Sequence, residues 1–265
     1  MKNHLDKSIQ AAIAGDKKSL ELILDGIKDL VYNLSLKMLL FPEDAEDASQ
    51  EILIRILTRL STFKSESSFK TWVYRVASNY LISYKGKFSQ SFAMSLEEYG
   101  DFIDQGQKSG TKYAQNAGEM ALLEEEVKVS CTQGILMCLN KQSRLIYILG
   151  DIFEFNSQEG AEILGIKAEN FRQGLARSRK KVRNFLENKC GLANPKNPCR
   201  CSRKIDFLID QGLIEPTKLR FAPISQRSIE MVKKLEQVER VVEMHRSNPN
   251  FPSPESLRIK INSIL

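Results

Sequence analysis

Hydrophobic positions recur along this chain at helical spacing, and no alternating run is long enough to argue for a strand. Leu20, Leu24, Ile27, Val31 and Leu34 mark one stripe and predict a helix over Asp16–Leu40. Pro42 suits the first turn of a second helix, where Glu43, Asp44, Glu46 and Asp47 complement the dipole and Ala45, Ala48, Ile52, Ile56 and Leu60 face inward. Ser61–Ser68 reads as a loop. A third helix follows from Phe69 to about Lys85, with Phe69, Trp72, Val73, Val76, Ala77 and Tyr80 on its buried side.

Residues 86–119 lose this periodicity, are rich in Gly, Ser, Gln and acids, and predict a flexible linker. A second helical block runs from Met120 to Lys189. Asn140 can cap a helix carrying Leu145, Ile146, Ile148 and Leu149, and Ser157 can cap a short helix ending at Leu164. Gly165 sits where a tight turn needs positive φ, and a basic helix, about Ala168–Leu186, comes next. Short helix, glycine turn and basic helix form the pattern of a helix-turn-helix. Of the eight prolines only Pro42 precedes residue 195, so the tail must be segmented. Helices are expected near Lys204–Gln211, Ser225–Arg246 and Pro254–Leu265.

The fold class is therefore all-α. The domains expected are residues 1–87, an acidic linker over 88–119, a helix-turn-helix unit over 120–189 and a Cys-containing helical extension over 190–265. The chain of 265 residues is long enough for such cores, and at 42% hydrophobic and 27% charged it is neither fibrous nor disordered as a whole. It has no membrane-length apolar stretch and its start lacks an apolar signal core, so a cytoplasmic protein without membrane insertion is expected. Five cysteines then imply reduced thiols or metal ligands.

Charge is distributed in blocks. Residues 52–87 hold seven bases against one acid, and residues 167–189 hold eight bases against two. Between them, residues 86–126 hold three bases against eight acids. Two basic patches on an acidic connector suit two contacts with a polyanion, although two solvated helix faces would look the same by charge alone.

In the helix-turn-helix, Glu169, Asn170, Arg172 and Gln173 lie near the start of the second helix, where a major-groove helix meets base edges. Arg177, Arg179, Lys180 and Arg183 lie further along and suit phosphates. In the third helix and the loop before it, Phe63, Trp72, Tyr74, Tyr80 and Tyr84 interleave with Lys64, Lys70, Arg75, Lys85 and Lys87, a mixture suited to unstacked bases. Phe69 and Trp72 share the buried stripe and read as core; Tyr74, Arg75 and Asn79 lie off it and are the better contact candidates. Asp44, Asp47, Glu51 and Arg55 form a stripe on the second helix, either a solvated face or a docking face.

Taken together, Asp44-Ala-Glu-Asp-Ala-Ser-Gln-Glu51, Phe63-Lys-Ser-Glu-Ser-Ser-Phe-Lys-Thr-Trp72 and Arg75-Val-Ala-Ser-Asn79 resemble region 2 of bacterial RNA polymerase sigma factors. Leu139-Asn-Lys-Gln-Ser-Arg144, Gln158–Ile166 and Leu175-Ala-Arg-Ser-Arg179 resemble region 4. With no other sigma region between them, the resemblance is to the extracytoplasmic-function (ECF) group of the sigma-70 family, over about residues 10–189. It implies a non-catalytic factor that binds core RNA polymerase, through the β′ clamp helices and the β flap, and directs it to promoters. It assigns Asp44, Asp47, Gln50 and Glu51 to the polymerase. Phe63, Lys64, Ser67, Lys70, Tyr74, Arg75 and Asn79 fall to the melted −10 element, and Glu169, Asn170, Arg172, Gln173, Arg177, Arg179 and Lys180 to the −35 element. The linker would thread towards the active-site cleft, and a regulatory partner such as an anti-sigma protein is compatible with it. Lys167 departs from the small capping residue usual before the recognition helix; a weak cap costs ~1 kcal/mol.

The tail lies outside that resemblance. Cys190, Cys199 and Cys201 offer three thiols for a structural zinc, with His245, Cys138 or a carboxylate as a fourth ligand, or else remain ordinary thiols. Cys131 and Cys138 read as packed core. The Ser225–Arg246 helix would pack on the helix-turn-helix unit or bind a partner. Two further readings compete: a stand-alone helix-turn-helix regulator, which leaves the region-2 features without purpose, and a thiol or zinc enzyme, for which no base or catalytic motif is placed nearby.

Overall fold

The computed structural model describes residues 2–263 apart from 89–91, 93, 108 and 224–227, with side chains described from Ser8 onward. Every regular element among the described residues is helical. Helix α1 (Lys2–Ile13) packs on α2 (Lys17–Leu39), which starts at an Asp16 cap accepting from the Ser19 N–H. The second half of α2, from Val31 to Leu39, is buried all round, so α2 is the central rod against which both halves of the chain lean. Helix α3 (Pro42–Thr58) begins on its proline, and Ala45, Ala48, Ile52 and Ile56 close on α2 as the periodicity predicts. Helix α4 (Phe69–Ser83) is capped by Ser68 and completes the unit.

The stretch expected to be a structureless linker is partly folded. Helix α5 (Leu96–Asp104) carries a Ser95–Glu98 capping box and seats Tyr99 in the core, where its hydroxyl donates to the Cys131 carbonyl. Nine residues are too short a segment for periodicity to stand out between Gly- and Ser-rich flanks. Helix α1 was likewise not expected.

Helix α6 (Ala117–Met137) leads into α7 (Lys141–Tyr147), capped by Asn140, and then a π-turn over Ile148–Ile152. Helices α8 (Ser157–Leu164) and α9 (Ala168–Lys189) form the helix-turn-helix. Asn156, one residue before the expected Ser157, caps α8 in a capping box with Glu159. Gly165 closes α8 at φ 64°, as predicted. Gly160 has no Cβ because the Phe171 ring occupies the space a Cβ would need.

In the tail, α10 (Ile205–Asp210) and α13 (Glu255–Asn262) fall near the expected positions. The single helix expected over Ser225–Arg246 is two, α11 (Ser228–Lys233) and α12 (Gln237–Arg246), broken where Glu236 begins a new capping box; Ser225–Arg227 lie outside the described residues. Both pack on α6, whose acidic residues capture the tail. Glu125 accepts from Ser228 Oγ and the Ile229 N–H, and Glu126 from the N–H groups of Arg220, Phe221 and Ala222. Among the described residues no helix is long and apolar enough to cross a membrane.

Candidate nucleic-acid interface

The basic helix α9 turns Phe171, Gly174, Ser178, Val182, Phe185 and Leu186 inward and leaves its polar side in solvent. Glu169, Asn170, Arg172, Gln173, Arg177, Arg179 and Lys180 are all exposed. The first residues form a local network, in which Glu169 accepts from Arg172 and, at 3.0 Å, from Gln173. Those bonds hold the Glu169 carboxyl below its ordinary pKa, with Arg172 contributing most. Arg179 reaches back 2.9 Å to Asp151, which also receives Arg246 of α12, so it is anchored at its head as well as exposed. Lys167 makes no side-chain cap, in line with the departure noted in the sequence.

The face on the first unit is divided. Asp47 and Glu51 are exposed and Gln50 is half-buried, whereas Asp44 is 2% exposed and accepts the Phe88 N–H at 3.1 Å. Asp44 is therefore a structural acceptor at the start of the connector, a correction to the expected open stripe. Arg55, next along that stripe, lies over the Tyr80 ring at 4.7 Å. Burial, with Asp44 and Asp47 adding, pushes the Tyr84 phenol up to about 12.

Of the seven residues expected at melted DNA, Lys64, Lys70 and Asn79 are exposed and Ser67 is half-buried. Phe63 is buried, its ring 5.4 Å from Phe69 and 5.7 Å from Trp72, because the loop needs an apolar anchor where it enters α4. Tyr74, expected off the buried stripe, is 4% exposed: the helix-turn-helix unit sits on it, with Phe155 edge-on at 4.9 Å and Phe153 at 5.6 Å. Burial raises its phenol pKa. Arg75 donates through Nε and Nη2 to the Glu162 carbonyl, at 3.0 and 2.7 Å.

This contact between the two units was not anticipated, and its polar part follows one rule: cations of one unit cap helix ends of the other. Arg75 meets a carbonyl in the last turn of α8. Lys141 donates to Ile82 and Tyr84 carbonyls at the end of α4, and buried Arg144 donates to the Met38 carbonyl at the end of α2 as well as to Leu136, Met137 and Leu139. Lys37 is buried in α2 with the Phe153 ring 6.0 Å away, and burial depresses its ammonium pKa to about 8. A cation on the apolar stripe of a short helix, as Arg144 is beside Leu145 and Ile146, was the available signal.

Cys190, Cys199 and Cys201 come together, and the fourth thiol on their 40 Å³ cavity is Cys131, not Cys138 or His245. Cys138 donates to the Gly134 carbonyl, and His245 is held between the Tyr147 hydroxyl and the Thr132 carbonyl. Burial pushes the Cys131 thiol up to about 12 and raises Cys190 and Cys201. Among the described residues no three Cys, His, Asp or Glu side chains are grouped to hold a metal ion.

A helical unit with exposed acidic residues on α3 and a basic loop-helix is thus followed by a helix-turn-helix. Residues 25–88 match the sigma-70 region 2 family. The chain is 29% identical over 192 residues to the ECF RNA polymerase sigma factor SigW of Bacillus subtilis, covering 71% of this chain and all of that one. It is 27% identical over 153 residues to SigM of the same organism (58% and 86%). It is 28% identical over 153 residues to a probable RNA polymerase sigma factor of Haemophilus influenzae (55% and 78%). The family match lies in the first part of the chain, and the relatives over its longer span are named as ECF or other RNA polymerase sigma factors. More than a quarter of this chain has no counterpart in SigW.

Proposed function

We propose that the chain recruits core RNA polymerase through the acidic side of α3 and directs it to promoters through α9 and the α3–α4 segment. The observation that carries this reading is the exposed polar side of α9, set by the Gly165 turn and the Phe171 packing with base-reading residue types at its start. Asp47 and Glu51, with Gln50 beside them, would dock the polymerase. Arg172, Asn170, Gln173 and Glu169 would read the −35 element, with Arg177 and Lys180 on phosphates. Lys64 and Asn79 are exposed to meet the melted −10 strand; Lys70, whose ammonium lies over the Tyr74 and Phe155 rings, would join them with Tyr74 and Arg75 once the helix-turn-helix unit leaves α4.

The test is run-off transcription from fragmented genomic DNA of the source organism with purified core polymerase. Discrete new transcripts, lost with Asp47→Lys together with core binding, are expected. DNA binding without any core binding would overturn the reading in favour of a stand-alone helix-turn-helix regulator.

A further inference from the structure

After the end of α12 the tail leaves the helix-turn-helix unit and crosses to the first unit. Its departure point is fixed by Lys128 of α6, which donates to Ser228, Ser247 and Asn248, and by the Asn248 amide on Thr132. Three residues later the chain lies along α2. The Asn33 side chain accepts the Phe251 N–H at 2.8 Å and donates to the Phe251 carbonyl at 2.7 Å, a reciprocal pair on a 4% exposed residue. Asp29 receives both the N–H and the hydroxyl of Ser253. Helix α13 then packs on α3, burying Leu257 and Ile261, with Lys260 3.0 Å from Glu46.

We propose that residues 249–262 are an intramolecular clasp. It holds the two DNA-contacting units together, so that the helix-turn-helix unit covers Tyr74 and engages the Arg75 guanidinium, and its release licenses capture of the melted strand. The clasp binds α3 through Glu46 and leaves Asp47 and Glu51 exposed, so the closed chain keeps its polymerase-docking stripe and its α9 face. What it withholds is part of the α4 surface. A strap anchored on α6 at one end and on α2 and α3 at the other shortens the reach between the units without touching either DNA-reading face. This inference rests on the function proposed above.

The test compares the full chain with Ser253→Ala/Lys260→Glu, which removes one bond to Asp29 and sets two acids against each other at Glu46, and with a chain ending at Asn248. Circular dichroism and melting establish that the double variant is folded. Small-angle X-ray scattering reads the separation of the units. Run-off transcription with core polymerase on fragmented genomic DNA reads the output. The expected result is a larger radius of gyration for both altered chains and roughly five- to tenfold more transcript at equal core binding, as a closed majority shifts to open. Unchanged scattering, or expansion with transcript yield equal to that of the full chain, overturns the clasp. Expansion with no transcripts from any form, the full chain included, leaves the clasp standing and overturns the function on which it was placed.

Discussion

The Arg75 guanidinium forks onto the backbone carbonyl of Glu162, at 2.7 and 3.0 Å, eighty-seven residues away and across the boundary between two units. A backbone acceptor cannot be removed by substitution, so the neighbouring ring contact is the place to loosen this boundary. Phe155→Ser removes the edge-on partner of Tyr74, worth about 0.5–1.5 kcal/mol beyond its buried area. We expect Tyr74 to become accessible to tetranitromethane, with nitration mapped by mass spectrometry. Equal protection in the variant and the parent would show that the remaining contacts hold α4 covered unaided.

The elements that proved legible in the sequence were those with long, uninterrupted stripes. Helices α2, α3 and α9 fell within a few residues of their predicted ends because Ile27, Val31, Ile52, Ile56, Val182 and Leu186 repeat at helical spacing and Pro42 and Gly165 mark boundaries. The α9 face was legible for the same reason, since one side of a helix is apolar and the other must be exposed. Tyr74 and Asp44 were not, because their burial comes from partners distant in sequence, Phe155 and the Phe88 N–H, which no local period encodes. Nor was Cys131 as the fourth thiol of the tail cluster, since its place on a helix read as packed core and the candidates offered were His245, Cys138 or a carboxylate.

Asn156 accepts from both the Gln158 and Glu159 N–H groups, and Glu159 reaches back to the Asn156 N–H. Asn156→Ala leaves those two donors without their side-chain partner at the start of the positioning helix. A loss of about 1 kcal/mol is expected, a few degrees in melting temperature, with Asn156→Gly milder. An unshifted thermal transition would mean that water satisfies the two donors equally well.

Lys37 is a buried charge whose pKa is moved by burial itself. Its depressed pKa means the folded chain disfavours the ammonium, a penalty fully present below about pH 8 that fades as pH rises towards 10.5. Lys37→Met keeps the length of the side chain and removes the charge. It should therefore stabilise the protein at pH 7 by as much as about 3 kcal/mol, with the gain shrinking at alkaline pH. Urea midpoints at pH 7 and pH 9.5 measure both numbers; a destabilised variant at pH 7 would mean that the ammonium has a favourable role in the fold.

His245 behaves in the opposite pH range. It is buried between the Thr132 carbonyl, 2.9 Å from Nε2, and the Tyr147 hydroxyl, 3.3 Å from Nδ1, and burial lowers its pKa from 6.5 to about 4. Burial, the largest cause, acts together with Lys128 and Lys37 against the proton and outweighs the Thr132 carbonyl and Asp151, which favour it. The unfolded chain thus takes up a proton near pH 6.5 that the folded chain refuses until about pH 4. Stability is intact above the first value and falls as pH drops towards the second, by about 1.4 kcal/mol per unit in the middle of that window. Because His245 lies on α12, just before the clasp leaves for α2, the loss is expected to appear first as detachment of the tail. Hydrogen exchange at pH 7 and pH 5 should show α12 and residues 247–253 losing protection before α6 does, at matched intrinsic exchange. His245→Gln, which does not titrate, should remove most of the difference between the two pH values. A tail equally protected at both pH values in the parent would show that His245 does not set the acid stability of the tail.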